Sequence, residues 1–409
     1  MRALLLTLCA AWLAAEERFP PPDFTGGHVI PGVTTPGPRA MWLLALDAGL
    51  LVIALALAAW LVHRRRSRTG VIFLSLACLA WFGFYRAGCT CSVGSLQNVA
   101  AAAVAGEALP WIAGLFFAAP LIAAMFVGRV FCAAVCPLGA IQDVVLVRPL
   151  AVPPWLAGAL GVLPWAWLGL GVLSAALGGW WLICRYDPFV GFFRFGGPAE
   201  VMLVGGGVLA IATVIGRPYC RFLCPYGVLL RLAAPLAVLR VRIAPERCTA
   251  CRLCEGSCPF GAIQPPSPPA PAQRASPWAW AVLAGLPLLL AAGIWLGWRS
   301  GPTLARLDPQ VVLAEAMATT PPEGSPAAVD VDTFRRLGGV DAELAAQAAA
   351  ARRRWSWGAA ILGGGLAMVV AAKLLRTSRR RRSSEYLTDE GHCLACARCL
   401  PTCPEGRPL

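Results

Sequence analysis

The sequence predicts an α-helical integral membrane protein of about seven transmembrane helices, carrying a small cytoplasmic α+β domain built from two separated halves. Three observations predict this class. Of 409 residues, 58% are hydrophobic and only 14% charged, against roughly 25% charged in a soluble globular chain. Seven apolar stretches, at 42–62, 71–85, 111–127, 155–183, 199–215, 278–296 and 355–372, approach or exceed the ~20 residues of a spanning helix. Two cysteine-rich segments of identical spacing stand about 140 residues apart with two of those stretches between them, so an even number of crossings returns both to one side.

Taken in order, residues 1–15 read as a signal peptide: Arg2, a short apolar run, and small residues before Glu16, too short to span. Cys9 lies within it, but Leu8 before it does not suit a lipoprotein cleavage site. A Pro- and Gly-rich periplasmic lead-in occupies 16–40, and a membrane domain with tandem repeats 41–240. Residues 241–264 form the first half of the small domain and 265–277 a proline-rich linker. A transmembrane helix at 278–298, a periplasmic helical loop at 299–354 and a second transmembrane helix at 355–375 follow. Residues 376–409 hold a basic segment and the second half of the small domain.

The net charge of +14 excludes little until its placement is read. Arg64, Arg65, Arg66 and Arg68 follow the first span, Arg240, Arg242 and Arg247 lie between the fifth and sixth, and Arg376 and Arg379–Arg382 follow the last. Basic residues just beyond span ends mark the cytoplasmic side of a membrane, not a nucleic-acid-binding face. Arg352–Arg354 runs against the pattern, because this topology puts it outside. The chain is expected in a bacterial cytoplasmic membrane, N-terminus outside and C-terminus inside.

Seventeen cysteines carry the chemistry. Cys248-x2-Cys251-x2-Cys254-x3-Cys258-Pro259 and Cys393-x2-Cys396-x2-Cys399-x3-Cys403-Pro404 are complete bacterial ferredoxin runs. In two-cluster ferredoxins the fourth cysteine of each run serves the other cluster. Cys248, Cys251, Cys254 and Cys403 are therefore expected to bind one [4Fe–4S] cluster, and Cys393, Cys396, Cys399 and Cys258 the second. Zinc is the rival, but zinc sites show two separated pairs, not four cysteines in eleven residues ending in Cys-Pro.

A second pattern repeats upstream. Gly128-Arg129-x2-Cys132-x3-Cys136-Pro137-x-Gly139 matches Gly216-Arg217-x2-Cys220-x3-Cys224-Pro225-x-Gly227, 88 residues later. Cysteines at i and i+4 share one helical face, and two copies could join four thiolates near the membrane surface, suiting iron, an iron–sulfur cluster, zinc or Cu(I). The plain alternative is cysteine as a small hydrophobe. Toward the opposite, outer end stand Cys89, Cys91, Cys184 and Asp187, either a redox or metal station or a disulfide of Cys184 with Cys89 or Cys91. Cys78 is mid-span core.

The three histidines exclude a haem b held between spans: His28 is in the outer lead-in, His63 at a span end, and His392 beside a cluster cysteine. His392 is expected to tune the neighbouring cluster by hydrogen bonding and not to ligate it. Gly205–Gly207 lies within a span and reads as close helix packing.

Two CxxxCP motifs followed by two ferredoxin runs resemble the NapH/NosR-type membrane polyferredoxins, over roughly residues 111–259 and the last 20. The resemblance implies electron transfer between the quinol pool, or a periplasmic partner such as a flavoprotein, and cytoplasmic clusters with their own electron-transfer partner, supporting a respiratory reductase or its maturation. The segment 88–98 echoes 136–143 as a degenerate third copy. Departures are a short outer N-terminal segment, no attachment motif for covalent FMN, and the hairpin inside the ferredoxin domain. A FixG-like copper-reducing assembly factor shares the combination of spans and ferredoxin runs; a membrane redox sensor is the third reading. No acid–base constellation or nucleotide-binding loop is evident, so whether the chain is itself an enzyme stays open. The Ala-rich outer loop, with Leu304, Leu307, Val311 and Leu313 at helical spacing, reads as a docking surface or a spacer.

Overall fold

The computed structural model describes residues 40–88, 91–241, 248–266, 277–319, 321–322, 324–378 and 386–403. The signal peptide and nearly all of the lead-in, Cys89, most of the linker, and Arg379–Arg382 lie outside the described residues.

The chain is mostly helical. Helix α1 (Met41–His63) and α2 (Arg68–Cys78, continuing as a π-helical stretch, Leu79–Tyr85) form the first hairpin. Ser67 starts α2 by accepting from Gly70 N at 3.1 Å, satisfying one of the orphan amides of its first turn. Near the other end a buried ion pair joins Arg86 to Asp47 at 2.6 Å, and Trp81 Nε1 donates to Asp47 Oδ1 at 2.9 Å. Charges in such apolar surroundings persist only when paired.

Helix α3 (Ser92–Val104) has 13 residues. At 1.5 Å per residue it extends about 20 Å, short of a ~30 Å hydrocarbon core. Helix α4 (Trp111–Val127) packs along it, and Val127 O lies 2.9 Å from His63 Nε2, which levels the ends of α1 and α4. A π-helical turn at Phe131–Val135 leads into α5 (Pro137–Val145). Helices α6 (Pro154–Leu160) and α7 (Leu163–Ala176) follow. The apolar stretch expected at 155–183 is thus broken at Gly161 and Val162 and stops at Ala176, where Gly178 turns the chain at φ 76°, a conformation that glycine adopts without strain.

Short helices α8 (Leu182–Arg185) and α9 (Val190–Arg194) precede α10 (Ala199–Ala212), α11 (Pro218–Phe222) and α12 (Pro225–Ala233). Beyond them lie α13 (Leu253–Ser257), β1 (Ile263–Gln264), α14 (Pro277–Leu304), α15 (Pro309–Thr319), α16 (Pro326–Arg336), α17 (Asp341–Ser378) and β2 (Leu387–Thr388).

Five helical stretches are long and apolar enough to cross a membrane: Met41–His63, Arg68–Tyr85, Pro154–Ala176, Trp278–Leu307 and Asp341–Leu375. Trp111–Val127 and Ala199–Ala212 are apolar but shorter. Large apolar side chains point outward, with Leu288 77%, Leu203 76% and Ile361 75% exposed. In water such a surface would be a liability; against lipid it is the required face.

Helices α14 and α17 form a second hairpin packed through small residues. A Cβ at Gly293 would stand 2.6 Å from Gly363 O, and one at Gly297 would strike Ala359 O. Close backbone approach is how helices associate where apolar burial gives no advantage over lipid. Gly297→Leu is therefore expected to weaken this hairpin by about 1–3 kcal/mol, the usual cost of overpacking, read as a lower unfolding midpoint in detergent. A variant with the parent's midpoint would remove Gly297 from the contact.

The expected helical loop is observed as α15, α16 and the first turns of α17. Trp355 is fully buried with Ala305, Val311, Ala348 and Ala351, and Leu173 and Leu307 pack against them. Arg352, the basic residue against the pattern, pairs with Glu315 at 3.2 Å.

The two halves of the small domain meet. Strand β1 pairs antiparallel with β2, Ile263 opposite Thr388. Asp389 N donates to Ala262 O at 2.7 Å, Thr402 Oγ1 to Ser257 Oγ at 3.3 Å, and Arg240 pairs with Glu390. Cys254, Ile263 and Tyr386 share one buried cluster.

Candidate functional site

The loops Cys248–Cys254 and Cys393–Cys399 adopt the same uncommon backbone. Ala250 (φ 54°) and Arg252 (62°) in one match Ala395 (50°) and Ala397 (58°) in the other. Non-glycine residues seldom have positive φ, so its recurrence at two offsets in both runs marks one shared wrap. Successive N–H groups in such turns make a concavity for anions. Backbone N–H groups of Ala395 and Arg398 already act on Cys393 and Cys396, favouring their thiolates.

The fourth cysteine of each run comes into the neighbourhood of the other run. Burial pushes the Cys399 thiol up to about 12, with Cys396, Cys393 and Cys258 adding to the rise. Burial does the same for Cys393, again to about 12, with Cys396 and Cys258 beside it. In the other loop burial raises Cys254, and Cys403 and Cys248 contribute. Cys258 thus neighbours the second run and Cys403 the first. Mutually repelling thiolates are a donor set that an iron core neutralises, so the residues present fit the cluster. Among the described residues no three Cys, His, Asp or Glu groups stand ready around a single metal ion; this holds for both loops alike. His392 faces Asp389, its Nδ1 3.0 Å from Oδ2, not a thiol.

Cys132, Cys136, Cys220 and Cys224 are all buried in the main core. The π-helical turn carries Cys132 and delivers Cys136 to the N-cap of α5, with Pro137 in its first turn. In the second repeat, Arg217 takes a left-handed conformation before α11, and Cys224 caps α12, its Sγ accepting from Gly227 N at 3.3 Å. Gln142 clasps the repeats together: its Oε1 accepts from Tyr219 N at 3.0 Å, and its Nε2 lies 3.4 Å from Cys220 Sγ. Burial lifts Cys220 to about 11 despite Arg217, and burial also raises Cys136 and Cys224, with Cys220 and Cys132 adding to each.

Between these thiols and the ferredoxin loops lies an arginine network. The guanidinium of Arg217, fully buried, donates to Cys132 O and, at 3.2 Å, to Ala133 O. Its Nε and Nη2 lie 3.0 and 2.8 Å from the Asp143 carboxylate. Asp143 also receives Arg68 at 3.3 Å and Arg398 at 3.5 Å. Burial alone would raise its carboxyl, but Arg217, Arg398 and Arg68 hold it well below the usual range. Arg68 reaches Cys396 O (3.1 Å), Arg129 reaches Gly391 O (2.8 Å) and lies 3.6 Å from Cys132 Sγ, and Arg221 reaches Pro259 O (3.3 Å). The buried Nε atoms of Arg129 and Arg398 have no hydrogen-bond partner, which leaves donors for an anionic group. In the sequence Arg129 and Arg217 stand out only as flanks of the repeat, and Asp143 and Arg398 carry no local signal.

The outer residues lie nearer than their sequence position implies. Cys91 caps α3, its Sγ 3.3 Å from Val93 N. Burial pushes its thiol up to about 12, and Asp187 and Cys184 add to that. The three line a cavity of ≈ 320 Å³. A second, ≈ 10 Å³ void has Cys91 and Cys136 together in its wall. Asp187 is buried, which raises its carboxyl to about 6 although Phe189 N and Val190 N donate to it. Cys89, the other cysteine of this outer group, is outside the described residues. Cys78 is buried core, as expected.

A family model described as a 4Fe-4S binding domain matches residues 109–162 and 197–243, one CxxxCP motif in each. A second 4Fe-4S binding domain matches 241–264, the first ferredoxin run. Protein NirI of Paracoccus denitrificans is 32% identical over 54% of this chain and 36% of its own. YccM of Escherichia coli, named for electron transport, is 27% identical over 41% of this chain and 52% of its own. The regulatory protein NosR of Pseudomonas aeruginosa is 30% identical over 53% of this chain and 33% of its own. The chain thus spans between a third and about half of these relatives. No solved structure matches.

Proposed function

We propose that this chain, an iron–sulfur electron-transfer membrane protein related to NirI, YccM and NosR, passes electrons between a membrane or periplasmic redox partner and cytoplasmic [4Fe–4S] clusters, in support of a respiratory reductase or its maturation. Cys248, Cys251, Cys254 and Cys403 hold one cluster and Cys393, Cys396, Cys399 and Cys258 the other. Cys132, Cys136, Cys220 and Cys224 hold a third iron–sulfur centre. When bound, the clusters supply one-electron chemistry; the chain sets their spacing and potential. The chain crosses a bacterial cytoplasmic membrane about seven times, with the ferredoxin halves inside.

One observation carries this reading: Cys258 and Cys396 pack against the same buried core that contains the four CxxxCP thiols. The protein spends buried arginines on holding that contact. Arg129 and Arg217 put positive charge beside Cys132, which favours an anionic, thiolate-ligated centre and its reduced form. Asp143 keeps Arg217 and Arg398 aimed, and the apolar walls exclude water from the thiols.

The FixG-like reading, copper bound at the CxxxCP pairs for reduction, is the competitor, and the arginines speak against a cationic occupant. Iron and acid-labile sulfide on anaerobically purified chain, with EPR, test the choice. About twelve of each, falling to about eight in Cys132→Ala/Cys220→Ala, are expected from four iron atoms per cluster. Copper in place of the extra iron would favour the competitor, and near-zero iron would overturn both.

A further inference from the structure

We infer that residues 249–253, in the wrap of the first ferredoxin run, form the docking surface for a small, acidic, soluble one-electron carrier. The inference rests on the electron-transfer reading above. It adds which of the two wraps meets the carrier and what charge the carrier bears.

The two wraps share a backbone but not a setting. Residues 248–254 correspond position by position to 393–399. In the second run Leu394, Ala395 and Ala397 are only 4%, 4% and 2% exposed. Leu394 and Ala395 belong to the main core, and Cys396 packs against it. In the first run residues 248–253 are all exposed, both cysteines included, and Cys254 turns inward. The side chains account for the difference. Ala397 fits a packed wall, whereas its counterpart Arg252 has a guanidinium that burial without a partner would penalise. Arg398 turns inward to Asp143, while its counterpart Leu253 stands 55% exposed. The second wrap is closed against the membrane domain, and the first is open to solvent.

Electron tunnelling falls steeply with distance, so a carrier exchanges electrons where the protein over a cluster is thinnest. One electron passes, carrier and cluster changing oxidation state in opposite senses, and no bond or proton moves. The charge at that place selects the carrier. Arg252 is the single charged residue within 248–254, and the sequence just before it holds Arg240, Arg242 and Arg247 against Glu246. Positive charge around an open cluster draws in an anionic carrier and repels a cationic one. It equally opposes a second copy of this basic chain. Leu253 supplies the small apolar contact of a brief encounter, the class with the smallest interfaces.

Stopped-flow mixing of the holo-protein, in nanodiscs of neutral lipid, with a reduced acidic [2Fe–2S] ferredoxin as probe tests this. The assay is run at about 0.01 M ionic strength, where screening sets in only beyond about 30 Å. Arg252→Glu is expected to slow the second-order rate by about fivefold to tenfold. It should weaken binding of the redox-inert, gallium-substituted ferredoxin by a similar factor, with iron content and cluster EPR as in the parent. Arg336→Glu makes the same change in net charge on exposed α16 and should alter neither rate nor binding. Parent values in Arg252→Glu, or equal effects of the two variants, would overturn the inference. So would a rate that collapses in nanodiscs of anionic lipid, which would lay these residues on headgroups. A parent without cluster EPR signals would instead overturn the electron-transfer reading.

Discussion

Replacing Cys258 with serine is expected to remove the cluster of the other run, the one wrapped by Cys393, Cys396 and Cys399. Cys258 belongs by sequence to the first run, yet its thiol stands with Cys393 and Cys399. Iron should fall by about four per chain, and one of two interacting reduced [4Fe–4S] EPR signals should vanish. Cys403→Ser should do the same to the first run. Double variants separate exchange from local ligation. Under exchange, Cys258→Ser with Cys396→Ala loses no more iron than either alone, because both strike one cluster; Cys258→Ser with Cys251→Ala loses both clusters. The opposite pattern of non-additivity would return each fourth cysteine to its own run.

The second large effect is expected at Asp143. Its carboxylate faces Arg68, Arg217 and Arg398, and the Arg217 side chain has no exposed surface. Asp143→Leu strands that guanidinium, and breaking a buried pair from one side costs about 3–5 kcal/mol. Unfolding in detergent should show that loss, and limited proteolysis should release residues beyond α17 first. Adding Arg217→Met should recover much of the stability, since a pair replaced by apolar residues is often neutral. The acid response follows from sign. The folded carboxyl lies below its ordinary value, so its contribution is full above the unfolded pKa of about 3.9 and fades as pH falls beneath it. Asp143→Asn should flatten that acid limb. A parent-like melting curve for Asp143→Leu would show that the network does not hold the ferredoxin half in place.

Much of this architecture was legible because its signals are local. Eleven residues contain a whole ferredoxin run, and the repeat of Gly-Arg-x2-Cys-x3-Cys-Pro needs no partner to be seen. The pairing of the two halves across a hairpin followed from counting crossings, and β1 with β2 realises it. Distant contacts were not legible. Asp143 and its three arginines come from four segments, and no spacing announces a salt-bridge network. Cys91 looks remote from Cys136 in the sequence because the 13 residues of α3 are too few to register as a span, yet Cys91 and Cys136 line one small void. The break at Gly161 and Val162 was hidden because an apolar run has no feature that distinguishes one helix from two collinear ones. Gln142 was noticed only as part of an echo, whereas the structure makes it the clasp between repeats.

The pairing of β1 with β2 also bears on how the protein is made. The ribosome delivers the first ferredoxin run well before α14 and α17 have entered the membrane, and the second only after them. If fourth cysteines are exchanged as proposed, a nascent chain halted anywhere in between offers three ligands of one cluster and one of the other, and completes neither. Cluster loading then reports that the last hairpin has been inserted with both ends on the correct face, and a misthreaded chain stays apo. Under that exchange the seam between the halves, two residue pairs of sheet, would act as an assembly checkpoint.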